Sequence, residues 1–117
     1  METGNEAQGR YRAGHIPGAV YLETNHFERP PLWNRLPDEE LASLLPQYGI
    51  THDRPVVLYA RGSMAAARVG VILLYAGVRE VRLLDGGLDA WRAAGYPVEV
   101  GENLHNPAAT FGVGVPA

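Results

Sequence analysis

The apolar residues of this chain fall into short continuous runs and longer, helically spaced sets. Three segments predict strands: residues 19–22, 56–59 and 81–84. The second is apolar at every position, which predicts a parallel strand that is buried on both faces. Three others predict helices, most of them closed by a glycine or proline: residues 37–45, 64–76 and 87–94. In the last helix Leu88 and Trp91 share a face that is expected to lie in the core. Alternating strands and helices with short connections predict an α/β fold, a parallel sheet with helices on both faces.

Composition narrows the classes of function. A length of 117 residues with 46% hydrophobic residues suits one globular domain. A net charge of -3 offers no basic surface, so we expect no nucleic-acid partner, and the lack of a long apolar run predicts no membrane segment. With no cysteine and no metal-ligand spacing among the four histidines, we expect neither a metal nor another cofactor. The composition is compatible with either the cytoplasm or the periplasm of a bacterium.

Residues 55–68 carry the most specific pattern, an apolar strand that runs through a short loop into an apolar helix. Backbone N–H groups at a helix N-terminus, together with the helix dipole, favour anions. A nucleophile would suit the end of the strand, but Ala60 stands there and its methyl group cannot attack. The sequence therefore predicts no catalytic residue and a loop that binds small anions, formed by Arg61, Gly62, Ser63, Met64 and Ala65.

Further motifs support a family resemblance. GHIPGA occupies residues 14–19, and DGG at residues 85–87 is followed by the helical Trp91. With the strand–loop–helix segment, these motifs resemble the rhodanese-like sulfurtransferase domain over residues 10–100. The run of residues 66–68 and the segment 27–34 resemble a non-catalytic domain of the multidomain, or tandem, thiosulfate sulfurtransferases.

The resemblance implies an active site that has lost its nucleophile. The family's working domain carries a cysteine at the position of Ala60, a loop glycine at Ser63 and an arginine on or beside Ala65. Its thiolate takes sulfur from thiosulfate or a related donor as a persulfide and passes it to cyanide or another acceptor. Nothing in this chain can perform the first step. The resemblance thus implies an inactive structural domain whose partner is a catalytic rhodanese domain of the same protein, C-terminal to residue 117.

Two other interpretations remain open at this point. The chain could be a free-standing module in which the loop amides bind sulfate, thiosulfate or phosphate. Alternatively, it could be an active enzyme in which Ala60 replaces an original cysteine.

The N-terminus departs from the family pattern. The family places a strand ending in an Asp-x-Arg-like segment just before Tyr11, and residues 1–10 show no such strand, so we interpret them as unstructured or truncated. The missing strand would leave a gap between the strands at 19–22 and 56–59, which a second copy could fill in a strand-swapped homodimer. The rhodanese-like domain is assigned to residues 11–100, and residues 101–117 to a linker or tail.

Several single residues have a structural explanation beside the functional one. His15 is expected to bond to loop backbone, and Arg68 to form an ion pair or a domain contact. Asp85 is expected to stabilise a turn. Phe27 and Trp33 could cover a pocket, meet a neighbouring domain or simply pack in the core.

Overall fold

A computed structural model describes residues 1–4, 7–29, 34–60, 64–84 and 86–116. Its strands are β1 (Glu2–Gly4), β2 (Tyr21–Glu23), β3 (Glu28–Arg29), β4 (Asn34–Arg35), β5 (Val56–Leu58) and β6 (Val81–Leu83). Its α-helices are α1 (Gln8–Ala13), α2 (Asp38–Gln47), α3 (Ala65–Ala76) and α4 (Gly87–Ala93), and a 3₁₀ turn covers Thr24–His26. The three helices and three strands expected from hydrophobic spacing are therefore confirmed, with bounds that differ by at most two residues.

The main sheet is parallel throughout. β1 pairs with β2, Glu2 lying opposite Tyr21, and β5 pairs with β6, Val56 lying opposite Val81. A bridge between Glu2 and Tyr59 joins the two pairs, so the strand order is β2-β1-β5-β6. The parallel α/β arrangement predicted from the sequence is confirmed.

The predicted gap in this sheet is wrong, because β1 fills it. Thr3 donates its backbone N–H to the Tyr59 carbonyl at 2.7 Å, Tyr59 donates to the Met1 carbonyl at 3.0 Å, and on the other side Glu2 donates to Val20 at 3.0 Å. Residues 1–10, which were expected to be unstructured or truncated, contain β1 and the start of α1. A second copy is not needed to complete the sheet, and the reason for expecting a strand-swapped dimer disappears.

The core lies between this sheet and the helices. Helix α3 contributes Val69 and Leu73, both fully buried, to a cluster that includes Leu58 of β5 and Leu41 of α2. Its Gly70 lies against the sheet, with the side chains of Val81, Leu83 and Leu58 just beyond the position that a Cβ would take. The left-handed Gly77, at φ 115°, ends the helix as its sequence predicts.

Residues 101–116 contain no helix or strand, yet they are bound to the domain. Phe111 is buried in the core cluster, and its carbonyl accepts the backbone N–H of His52 at 3.1 Å. Ala108 donates to Pro46 at 2.8 Å, and the His105 ring lies 2.7 Å from the carbonyl of Tyr21. The division of the chain at residue 100 stays a prediction, but this segment packs along the domain over much of its length.

Three local expectations are corrected. Strand β5 is not buried on both faces, because Val57 is 49% exposed. Trp91 lies outside the core clusters. It is half-buried, its ring centroid lies 4.7 Å from that of the tilted Tyr96 ring, and its Nε1–H donates to the Pro97 carbonyl at 2.6 Å. Helix α2 continues through Pro46 to Gln47, although proline has no N–H to donate to the carbonyl four residues earlier.

Candidate functional site

The candidate site lies where β5 and β6 end side by side. Leu84 donates its N–H to the Leu58 carbonyl at 2.9 Å, which holds the two strand ends in register. After Tyr59, Ala60 leaves the sheet, and the chain enters α3 at Ala65. In open parallel sheets this carboxyl edge is where ligands bind. Ala60 therefore occupies the place at which a side chain could act on a molecule above the loop.

The turn into α4 closes in on Ala60. Gly87 has φ 58°, and a Cβ at that position would collide with the Ala60 carbonyl oxygen. The preceding Gly86 has φ 75° and is the left-handed N-cap of α4. Both conformations favour glycine. These two glycines of the DGG motif thus allow the backbone after β6 to approach the end of β5.

Tyr59 links the site to the GHIPGA motif. Its side chain is buried, and its hydroxyl accepts the backbone N–H of Ile16 at 3.1 Å. Its backbone is bound to β1 on one side. The residue that precedes Ala60 is therefore held both by the central strand and by the loop after α1.

The predicted anion loop is described only in part. Arg61, Gly62 and Ser63 lie outside the described residues, as does Asp85. Met64 is the N-cap of α3; its side chain is 70% exposed and makes no capping hydrogen bond. Ala65 begins the helix with its methyl group buried. Of the five loop residues, the structure thus places Met64 at the surface and Ala65 in the packed part of the helix.

His15 has the structural role that its sequence context predicts. Its side chain is fully buried and stacks on Tyr11 with ring centroids 4.2 Å apart. Nδ1 lies 2.9 Å from the Ile16 carbonyl, and Nε2 lies 2.9 Å from the carbonyl of Gly101. The imidazole thereby ties the loop after α1 to the segment beyond α4.

Two further residues also have structural roles. Arg68 forms an ion pair with Glu28 at 2.6 Å, one of the two roles expected for it. Phe27 is fully buried in the core cluster, so it packs rather than covering a pocket, while Trp33 lies outside the described residues.

Sequence reasoning missed a concave region away from the Ala60 site. A cavity of about 730 Å³ lies beside α2, lined among others by His26, Tyr48 and His105. The His26 Nδ1 atom is 2.6 Å from the Tyr48 hydroxyl, and the His105 ring meets Tyr48 edge-on at 4.6 Å. Burial raises the pKa of Tyr48. These residues are far apart in the chain and have no characteristic spacing, so no sequence signal could have grouped them.

The described part of the chain adds two observations on chemistry. No three His, Asp or Glu side chains within it come together as a metal-binding group. No helix described there has the length and apolar character needed to cross a bilayer.

These features define a class of protein, a parallel α/β domain with a strand–loop–helix site that carries an alanine, Ala60, at the end of its strand. Comparison with known proteins specifies it further. The model of the rhodanese-like domain matches residues 5–94. The chain is 53% identical over 108 residues to the thiosulfate sulfurtransferase YnjE of Escherichia coli, a match that covers 92% of this chain and 25% of the relative. It is 40% identical over 93 residues to thiosulfate/3-mercaptopyruvate sulfurtransferase 2 of Arabidopsis thaliana, covering 76% and 27%.

Solved structures agree with the sequence relatives. The crystal structure of YnjE superposes with a TM-score of 0.94 at 50% identity, covering 99% of this chain and 28% of that one. The anaerobic ergothioneine biosynthesis enzyme of Chlorobium limicola superposes with a TM-score of 0.95 at 33% identity, covering 99% and 31%. The chain belongs to the rhodanese-like domain family, and it spans about a quarter to a third of the length of these relatives.

Proposed function

We propose that this chain is a catalytically silent rhodanese-like domain that acts as the structural, interdomain partner of a catalytic rhodanese domain in the same polypeptide. The observation that carries the proposal is Ala60 at the carboxyl end of β5, in a chain without cysteine. A methyl group has no electron pair with which to attack sulfur. Chemistry of this type therefore needs a thiolate from elsewhere.

The division of labour follows from the chemistry of sulfur transfer. A cysteine thiolate attacks the outer sulfur of thiosulfate, the sulfur–sulfur bond breaks, and sulfite leaves with the bonding electrons. Cyanide then takes the outer sulfur of the persulfide as thiocyanate and returns the thiolate. Both steps require the sulfur atom of cysteine, so both belong to the partner domain. Relatives named as thiosulfate sulfurtransferases that are three to four times as long as the matched region leave room for such a domain.

The test compares the natural polypeptide, read from the gene that contains this domain, with two variants. The expected result is thiosulfate:cyanide sulfur transfer that is abolished when the cysteine of the second domain is changed to serine. Ala60→Cys is expected to leave that activity within about twofold, since the loop also lacks the family's glycine and arginine. The 117-residue chain is expected to be inactive, with or without Ala60→Cys. Robust transfer by the Ala60→Cys chain alone would show instead an enzyme that has lost only its nucleophile.

A second candidate is anion binding by the loop of Arg61, Gly62, Ser63, Met64 and Ala65. It is supported by the N-terminus of α3, a helix of twelve residues whose N-cap side chain supplies no hydrogen-bond acceptor. Calorimetric titration with thiosulfate and with phosphate tests it. Saturable millimolar binding that Arg61→Ala weakens severalfold, and that the exposed control Arg54→Ala does not, supports an anion module. The absence of heat with either anion favours the purely structural partner.

A further inference from the structure

Helix α3 is apolar on the side that faces solvent as well as on the side that faces the core. Met64, Val71 and Leu74 are separated by seven and three residues, which places them on one side of the helix. They are 70%, 67% and 58% exposed. Leu83 of β6, itself 52% exposed, borders them on the flank of the helix that carries Gly70, four residues before Leu74; its Cδ2 is 3.5 Å from the position of a Cβ on Gly70. We name these four residues the outer apolar face.

Charged groups border this face and are paired within the chain. Arg68 is bound to Glu28 at 2.6 Å. On the same flank the Arg35 guanidinium lies 3.8 Å from the ring centroid of Tyr75, whose hydroxyl donates to Asp38 at 2.8 Å. An apolar centre with a polar, internally satisfied rim is typical of a protein interface.

Three exposed apolar residues elsewhere in the described part of the chain do not form such a face. Val98, Val100 and Leu104 lie in an extended segment, where Glu99 and Glu102 alternate with them. The carboxylates of both glutamates are engaged, Glu99 by Asn103 at 2.6 Å and Glu102 by Gln8 at 2.6 Å. Polar groups held between the apolar ones make this segment an ordinary surface and a suitable control.

We propose that the outer apolar face docks against an apolar surface of the neighbouring domain in the same polypeptide. This inference rests on the proposed function, in which the chain works beside a catalytic domain. It is supported by the length of the relatives, of which the matched region is only 25% to 31%. Met64 also places one end of the face at the start of α3, at the edge of the sheet that carries Ala60.

The size of the face favours a tethered occupant over a second copy. Four side chains offer at most a few hundred Å², whereas a stable complex of separate chains needs about 800 Å² from each partner. A covalently linked domain is present at an effective concentration in the millimolar range, so a small apolar contact suffices to hold it.

The experiment uses the double variant Val71→Glu/Leu74→Glu, with Val100→Glu/Leu104→Glu, at positions 74% and 86% exposed, as the matched control. In the natural polypeptide, the first variant is expected to raise the rate of limited proteolysis between domains about tenfold and to increase the radius of gyration in X-ray scattering. The control is expected to change neither. In the 117-residue chain, both variants are expected to unfold at the wild-type temperature, because all four side chains are already exposed.

Three results would overturn the proposal. The first is a natural polypeptide whose proteolysis and dimensions are unaffected by Val71→Glu/Leu74→Glu, and the second is a gene that encodes no second domain. The third is a dimer of the 117-residue chain, seen by light scattering, that the same variant dissociates, since the occupant would then be a second copy. Sulfur transfer by the natural polypeptide is measured in parallel. If Val71→Glu/Leu74→Glu leaves proteolysis and dimensions unchanged while transfer still depends on the second domain's cysteine, this inference fails and the proposed function stands.

Discussion

Strand β1 and the outer apolar face of α3 reverse the usual relation between hydropathy and burial. Glu2 and Thr3 are polar, yet they are 1% and 2% exposed at the centre of the sheet. Val71 and Leu74 are apolar, yet most of their surface is open to solvent. The two regions lie close together, since α3 packs against β1.

The difference shows that two separate demands decide what is buried. A central strand is needed because the neighbouring strands β2 and β5 would otherwise leave backbone groups unpaired, and any residue with a free N–H and C=O can satisfy them. A helix face is buried only where another element covers it. Residues with polar side chains can therefore lie in the centre of the sheet when their backbone groups are needed for pairing. Apolar side chains on a helix stay exposed where no other element of this domain packs over them.

The largest effect is expected from breaking the backbone of β1. Thr3→Pro removes the N–H that donates to the Tyr59 carbonyl at 2.7 Å in the middle of the sheet. We expect a loss of about 3 kcal/mol in the free energy of unfolding, measured by urea denaturation followed by circular dichroism. Thr3→Val is the matched control: it keeps the backbone N–H and loses only the hydroxyl, which lies 3.4 Å from the same carbonyl, so about 0.5 kcal/mol is expected. Equal losses in the two variants would contradict a backbone role for β1.

A smaller effect is expected from the amino group that precedes β1. Burial lowers the pKa of the Met1 ammonium from 8.0 to about 6, while the carboxylate of Glu2 acts in the opposite direction. Because the folded state binds this proton less tightly than the unfolded state, the burial cost is complete below pH 6 and is relieved as the pH rises to 8. The 117-residue chain should thus gain about 2 kcal/mol of stability across this range.

The control for the amino group is the same chain acetylated at Met1, which cannot titrate there. The four histidines titrate in both proteins, so the difference between their urea denaturation curves isolates the amino group. The stability advantage of the acetylated chain should shrink between pH 6 and pH 8. A difference that stays constant with pH would contradict the buried amine.

The third prediction uses two valines on opposite sides of α3. Val69 is fully buried and Val71 is 67% exposed. Val69→Ala should cost about 2 kcal/mol, because it removes buried methyl groups and leaves a cavity. Val71→Ala should change the stability of the 117-residue chain by less than about 0.5 kcal/mol. Similar losses in both variants, measured by urea denaturation, would mean that the outer face is already covered in this chain, as in a self-associated form.

The elements of the fold were predictable to different degrees. Helix α3 and strands β5 and β6 were found from hydrophobic spacing and closing glycines, because those signals are local. Strand β1 was missed since three residues, two of them polar, carry no periodicity, and its pairing partners Tyr21 and Tyr59 are distant in the chain. Phe111 was placed in a tail, although its burial depends on the cavity that the domain offers it.

One residue of the candidate site, Ala60, was predictable from the sequence, but the surroundings of that residue were not. The lack of a nucleophile at Ala60 follows from residue identity alone. The close approach of Gly87 to the Ala60 carbonyl depends on two strands that end side by side. The cavity beside α2 depends on three distant segments, which bring His26, Tyr48 and His105 together. Such juxtapositions come from topology, which a single sequence does not express.

The sequence by itself therefore determined the alternation of strands and helices in this α/β chain and the absence of a thiol from its strand–loop–helix site. Both depend only on local spacing and on residue chemistry. Only the tertiary structure decided that a polar N-terminal segment is the central strand and that one side of an apolar helix stays in solvent. The physical reason is that backbone pairing and burial depend on which distant segments meet, and hydropathy along the chain records only the preference of each residue.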